Sequence, residues 1–321
     1  LKRNPITKAN HIANLRRFLI RTSLEVTGLY LRVSRANRLA LRLLPEVTIV
    51  DVGASHFLHR KWLPSYQNNT TTVVAVDPNE WNLDYLRSIR LRATLIPYPT
   101  ALSGEGGNQT LYVTNVDTGS SLNRPSPTPI QNTRLGGQPH SYFYPMREVS
   151  IPTETLEMLV ENLKIHSPMF IKLDTQGSEL DILLGATNLF DEGQIVMVES
   201  EASLLRETSY EGATRLADLT LFMESRGFDL VELRPISVQP TLNNSQGVLN
   251  ECDSTFIMGF ERTLQSSIEV KLAVFYAYLL IGQNDLAQRL LTLDQELMQK
   301  LLQILSTRQV RFMLKNFRRI S

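Results

Sequence analysis

Phe170-Ile-Lys-Leu-Asp-Thr-Gln-Gly-Ser-Glu-Leu-Asp-Ile-Leu-Leu-Gly-Ala186 reads as a strand that runs into a polar turn and then a helix. The strand is apolar apart from Lys172 and Asp174, which alternate spacing puts on one face. Gln176 and Gly177 form the turn, and the helix begins near Ser178-Glu179. Polar side chains are thereby delivered to the carboxyl end of a strand, where open parallel sheets bind ligands.

The same grammar recurs on either side. Thr48-Ile-Val-Asp-Val-Gly53 and Thr72-Val-Val-Ala-Val-Asp-Pro78 are short apolar runs that end in an acid, 95–102 is a weaker third, and Gln194-Ile-Val-Met-Val-Glu199 is a fifth. Helices are predicted over 79–90, 153–164, 178–189 and 211–226, with Asn79 and Thr153 as N-caps and Gly227 as a stop. This alternation predicts an α/β fold with a mostly parallel sheet covered on both faces. Segments 228–234 and 254–260 read as a hairpin-like pair across a 235–252 loop. An insertion over 103–150 holds predicted strands at 109–115 and 147–151 around a Gly/Ser/Pro-rich loop. The expected organisation is a basic helical segment over 1–44, a main domain over 45–262, and a C-terminal helical hairpin (271–291 with 294–305) and basic tail over 263–321.

The 321 residues include 42% hydrophobic ones, which excludes wholesale disorder, and one cysteine, Cys252, which excludes a disulfide framework and a Cys-rich zinc site. Net charge is +1. Residues 1–45 nevertheless hold ten Lys/Arg and one acid, and residues 308–321 hold five and none, so the body between is acidic. Basic ends dock on such a body or on an anionic surface. No nucleic-acid module accompanies them, and no nucleic-acid partner is expected. The expected location is the cytoplasm, with peripheral contact at the inner face of a membrane and a homodimer left open. Trp62 and Trp81 read as packing aromatics, and His140 and His166 as ordinary loop residues.

Gly53 lets the backbone approach a ligand, and Asp77, at the second strand's tip, is placed to accept from two ribose hydroxyls. Asp51 receives an ammonium or holds the turn. A dinucleotide enzyme shows Gly-x-Gly-x-x-Gly, and the turn Asp51-Val-Gly-Ala-Ser-His-Phe57 has one glycine, which counts against a nicotinamide oxidoreductase.

The 170–186 segment resembles the signature of the FkbM family of S-adenosylmethionine-dependent methyltransferases. The likeness extends over 45–262 through Ile49-Val-Asp-Val-Gly-Ala-Ser55, Val76-Asp-Pro-Asn79, Thr100-Ala-Leu-Ser-Gly104, Gly119-Ser-Ser-Leu122, Pro152-Thr-Glu-Thr-Leu156, Val196-Met-Val-Glu199 and Asp253-Ser-Thr-Phe-Ile257. The resemblance implies a class I methyltransferase (Rossmann-like) fold, a seven-stranded mostly parallel sheet with one antiparallel strand. It implies O-methyl transfer to a hydroxyl of a saccharide or small molecule, with S-adenosylhomocysteine as product. Carried over, Asp51, Gly53, Ala54 and Ser55 form the first cofactor loop, Asp77 and Pro78 bind the ribose, and Ala101, Leu102 and Ser103 lie by the adenine. Lys172, Asp174, Gln176 and Glu179 face the methyl group and acceptor, with Ser120, Ser121 and Glu199 on the acceptor side.

Asp174 is the first choice for the base, followed by Glu179 and His56. Each acid also has a simpler role, Asp174 in fixing a loop and Glu179 as a first-turn helix acid. No metal is assigned, although Asp174 and Glu199 end neighbouring strands and would suit Mg²⁺ unless Lys172 pairs with one of them. The family loop usually continues with glycine where Phe57 stands. That departure carries a second reading, an interaction protein on a catalytically weak methyltransferase scaffold.

Overall fold

β-Branched residues fill Val47–Val52 (β1) and Thr71–Val76 (β2), and nearly every side chain in both is buried. Strands buried on both faces need helices above and below, the packing of a parallel sheet joined by helical crossovers. The computed structural model describes residues 39–40, 43, 45–55, 62–87, 91–127, 144–206, 208–239 and 248–316. Most of the predicted 1–44 helical segment lies outside the described residues, as do His56, Phe57, His140 and the last part of the basic tail.

β1 leads through Leu63–Tyr66 (α1) to β2, and β2 through Glu80–Leu86 (α2) to Thr94–Tyr98 (β3). Ala101–Leu102 (β4), Gly107–Thr114 (β5) and Pro145–Glu154 (β6) follow, then Leu156–Leu163 (α3), Met169–Leu173 (β7), Glu179–Leu184 (α4), Thr187–Asp191 (α5), Ile195–Ser203 (β8) and Leu216–Ser225 (α6). Phe228–Gln239 (β9) and Val248–Met258 (β10) precede five helices: Phe260–Leu264 (α7), Ile268–Leu280 (α8), Asn284–Leu293 (α9), Gln295–Ile304 (α10) and Thr307–Asn316 (α11).

Seven strands form one sheet in the order β3-β2-β1-β7-β8-β10-β9. β10 runs antiparallel to both of its neighbours, and the remaining pairings are parallel. The chain winds outward from β1 to β3, returns to β7 beside β1, and then winds the other way. A crevice opens where the winding reverses, at the carboxyl ends of β1 and β7. β4, β6 and β5 form a separate small sheet, so the predicted strands of the 103–150 insertion pair antiparallel as β5 and β6.

Several boundaries differ from the sequence reading. The 95–102 run divides: β3 belongs to the large sheet, and β4 pairs with β6. Thr153 lies within β6, and the helix starts later because Thr155 caps it, accepting the Met158 N–H. β9 and β10 extend into the predicted 235–252 loop, to Gln239 and from Val248. The 271–291 stretch breaks after Leu280 at Ile281-Gly282, where Gly282 adopts φ +82°. Trp81 is exposed, whereas Trp62 is fully buried.

α8 shows why the C-terminal helices belong to the core. Residues 271–280 are all buried, the signature of a helix covered on every side. Tyr276 stacks on Phe170 of β7 at 6.4 Å between ring centroids, and Phe170 stacks in turn on Trp62 at 5.8 Å. The Tyr276 hydroxyl meets Ser65 Oγ at 3.2 Å, and Lys271 ties α8 to Asp294 (2.9 Å) and Glu296 (3.0 Å). Among the described residues no helix is long and apolar enough to cross a membrane.

Phe170 is thus the middle ring of a three-ring stack that fixes β7 from behind. Phe170→Ala is expected to cost about 3–5 kcal/mol, and Tyr276→Phe, which removes one hydroxyl, about 1 kcal/mol. Urea denaturation of both variants checks the ratio; comparable losses would mean that the stack is not what holds α8.

Candidate active site

Three strand tips are bonded to one another. The Gly53 and Ala54 N–H groups both donate to the Val76 carbonyl (2.9 and 3.1 Å), and the Asp174 N–H donates to the Val52 carbonyl (3.1 Å). Gly53 adopts φ +80°, and a Cβ there would overlap the Asp174 carbonyl. Glycine is required here by the approach of the 174 turn as well as by the backbone angle.

Above these tips lies a cavity of about 590 Å³, within the range of small-molecule sites. Its floor includes Gly53, Ser55, Lys172, Asp174 and Gln176; one wall includes Asp77, Pro78, Ala101 and Leu102; β5, β6 and the Asp117–Gly119 turn with Ser120 and Ser121 supply the roof. The Asp77 carboxylate is held in one orientation. It accepts the Asn79 N–H (2.7 Å) and Asn82 Nδ2 (3.1 Å to each oxygen). Burial raises the Asp77 carboxyl above its ordinary range against those bonds, with the charge of Asp117 adding to the rise. An acid-rich wall of this kind suits hydroxyls and a cationic ligand and disfavours phosphates, so the donor set fits a nucleoside sulfonium.

Lys172 reaches between two strands. Its ammonium lies 3.2 Å from Asp51 and 3.4 Å from Asp174. Burial pulls the lysine down, but the charges of Asp51 and Asp174 outweigh it and hold the ammonium above its ordinary range. Asp51 is buried, and burial raises its carboxyl against the attraction of Lys172. Asp174 keeps 44% of its side chain exposed. Burial pushes its carboxyl up, but Lys172 and hydrogen bonds from Glu201 and Gln176 override this and leave it below the usual aspartate range.

Gln176 sits in the left-handed region (φ +60°), uncommon for a side-chain-bearing residue. Its amide donates both protons to carboxylates, Asp174 at 3.1 Å and Glu201 at 3.0 Å, while its oxygen meets the Tyr210 hydroxyl at 3.2 Å. Glu201 is driven well above its ordinary range by burial and then by the charge of Asp174.

Other expected site residues stand elsewhere. Glu179 is buried beneath the turn, where one carboxylate oxygen accepts the Thr175 N–H (2.9 Å) and the Gly177 N–H (3.0 Å). It fixes the loop rather than facing the cavity, and burial raises its carboxyl despite those bonds. Glu199 is buried and paired with Arg234 at 3.2 Å, off the cavity wall. Ser103 is buried against Thr153 (2.9 Å), Ala54 packs with Ala75, Leu83 and Leu86, and Asp51 lies behind Lys172. Among the described residues no three acids or imidazoles gather as a metal site.

Sequence reasoning missed Asn82, Glu201, Tyr210 and Arg147. Glu201 follows Glu199 at strand spacing, a legible signal. Tyr210 comes from a distant loop and carried none.

The sheet order, with one antiparallel strand, and a cavity at the β1/β7 reversal that Asp77 lines are those of a class I methyltransferase. The family profile described as "Methyltransferase FkbM domain" matches residues 51–230. The chain therefore belongs to the FkbM methyltransferase family, whose methyl donor is S-adenosylmethionine. Among solved structures, M. capricolum TrmK in complex with S-adenosyl-homocysteine matches at 14% identity, covering 89% of this chain and 99% of that one, with a TM-score of 0.31. No curated protein gives a significant match.

Lys172→Met would strand the buried Asp51 carboxylate. The expected loss is about 3–5 kcal/mol, read as a lowered urea midpoint. A loss below about 1 kcal/mol would show that the pair is solvated rather than buried.

Proposed function

We propose that this methyltransferase transfers its methyl group to a hydroxyl oxygen of a small-molecule or saccharide acceptor bound beneath the β5-β6 roof. The observation that carries the reading is the partly exposed Asp174 carboxylate on the cavity floor, kept ionised by Lys172. Asp77 holds the ribose hydroxyls, and Ala101 and Leu102 offer an apolar surface to the adenine. When bound, S-adenosylmethionine supplies a methyl carbon made electrophilic by its sulfonium, so the chain has only to position the acceptor and take its proton.

Asp174 would accept the hydroxyl proton as the acceptor oxygen bonds the methyl carbon and the carbon–sulfur bond breaks to leave S-adenosylhomocysteine, and would return that proton to solvent through its exposed edge. Gln176, fixed by Glu201 and Tyr210, holds one Asp174 oxygen and leaves the other to Lys172. That clamp sets the direction of the lone pairs left for the acceptor.

Asp174→Asn is expected to lower kcat by about 10²–10⁴-fold, while S-adenosylhomocysteine affinity, measured calorimetrically, stays near the parent value. Asp77→Ala should do the reverse and weaken nucleoside binding first. Retention of near-parent turnover in Asp174→Asn would remove Asp174 as the base.

The pH profile offers an independent check. Asp174 lies below its ordinary range, so its charge is lost only as pH falls beneath about 3.9. With S-adenosylmethionine saturating, which masks Asp77, Asp174 itself should therefore add no acid limb above about pH 5. A limb above that pH would point to His56 if His56→Gln abolishes it, and to Glu201, which burial drives well above its ordinary range, if Glu201→Gln does.

A further inference from the structure

The β5–β6 part of the roof carries one charge among apolar side chains, and the adjoining turn adds Asp117. Leu111 and Val113 of β5 and Arg147 and Val149 of β6 all line the cavity. Val113 stands opposite Arg147 and Leu111 opposite Val149, so strand alternation puts the four on one face. The intervening pair, Tyr112 and Glu148, belongs to the other face, where Glu148 meets Arg124 at 4.0 Å.

The neighbouring cations are engaged. Lys172 holds Asp51 and Asp174, and Arg234 holds Glu199 and Asp253. Among the described residues no ion pair joins Arg147 to a carboxylate. An arginine stem alone covers apolar strand residues well enough, but such a role would not require the cavity-lining face.

We propose that Arg147 selects an acceptor carrying a carboxylate or phosphate in addition to the hydroxyl that is methylated. This rests on the methyl-transfer reading of the cavity. A guanidinium presents two parallel donors that match either anion, and Arg147 is exposed, so its donors are open to an entering acceptor. Asp77 on the wall and Asp174 on the floor line the same cavity and repel an anion from those sides. The acceptor is thereby oriented, its anion toward the roof and its hydroxyl toward Asp174. Arg147 is a specificity residue in this scheme and takes no proton.

The test measures S-adenosylhomocysteine release from the full chain with matched acceptors: glucuronate and glucose 6-phosphate against glucose, and lactate against lactamide. Turnover is expected to favour an anionic member by about 10-fold or more in kcat/KM, and the favoured pair tells carboxylate from phosphate. Arg147→Gln should erase that preference through KM, leaving S-adenosylhomocysteine affinity unchanged, and Arg147→Lys should restore part of it. Equal use of the neutral partners, a preference untouched in Arg147→Gln, or no anionic turnover by protein that binds S-adenosylhomocysteine would each overturn the inference alone. Absence of S-adenosylhomocysteine binding by folded protein would overturn the methyl-transfer reading together with it.

Discussion

The site depends on two turns that touch. The backbone at Gly53 passes so close to the Asp174 carbonyl that no side chain fits between them, and the Asp174 N–H is bonded to Val52. β1 and β7 are consequently held together past the end of their ladder, at the point where the sheet changes winding direction. Asp51 and Lys172 are partners within the ladder, whereas Asp174 lies just past it, so a Cβ that forced the turns apart would move Asp174 away from the cation that keeps it ionised. The glycine thus acts on chemistry through packing between two backbone segments.

Charge balance along the strand tips follows from that contact. Asp51, Lys172 and Asp174 form one alternating row, and Glu199, Arg234 and Asp253 form a second one on the neighbouring strands. A divalent ion shared by Asp174 and Glu199 would have to displace two cations already bound there, Lys172 and Arg234, each in a half-buried ion pair. Within the first row only Asp174 keeps a substantial exposed face. Burial and pairing therefore sort residues of one type into structural and chemical groups, a distinction that their positions in the sequence do not reveal.

That sorting also explains what was legible beforehand. Apolar runs ending in an acid marked β1, β2, β7 and β8, because strand burial and strand-tip polarity are local properties. Gly53, Asp77, Lys172, Asp174 and Gln176 reach the cavity by the same local logic. Glu179 and Glu199 look equivalent to Asp174 in one dimension, yet one is consumed by the N–H groups of its own turn and the other by Arg234. Those outcomes depend on what crosses from another strand. Thr153 and Thr155 are equally good caps as letters, and pairing of β6 with β4 and β5 decides between them. Arg147 drew no attention because its meaning comes from Val113 and Leu111, more than thirty residues away.

Floor and roof are finally one hydrogen-bonded unit. Ser121 Oγ lies 2.9 Å from the Gln176 carbonyl and 3.2 Å from that of Thr175, and Tyr210 spans the Gly119 carbonyl (2.7 Å) and the Gln176 amide. The segment that shapes the acceptor wall is therefore bonded to the turn that aims the Asp174 carboxylate. Glu179 holds the same turn from below through its bonds to Thr175 and Gly177. A left-handed glutamine survives in such a place because neighbours on three sides over-determine it. The base and the acceptor surface cannot be adjusted independently, since a shift of the 119–121 segment would be transmitted to Gln176 and hence to the one oxygen of Asp174 that Lys172 does not hold.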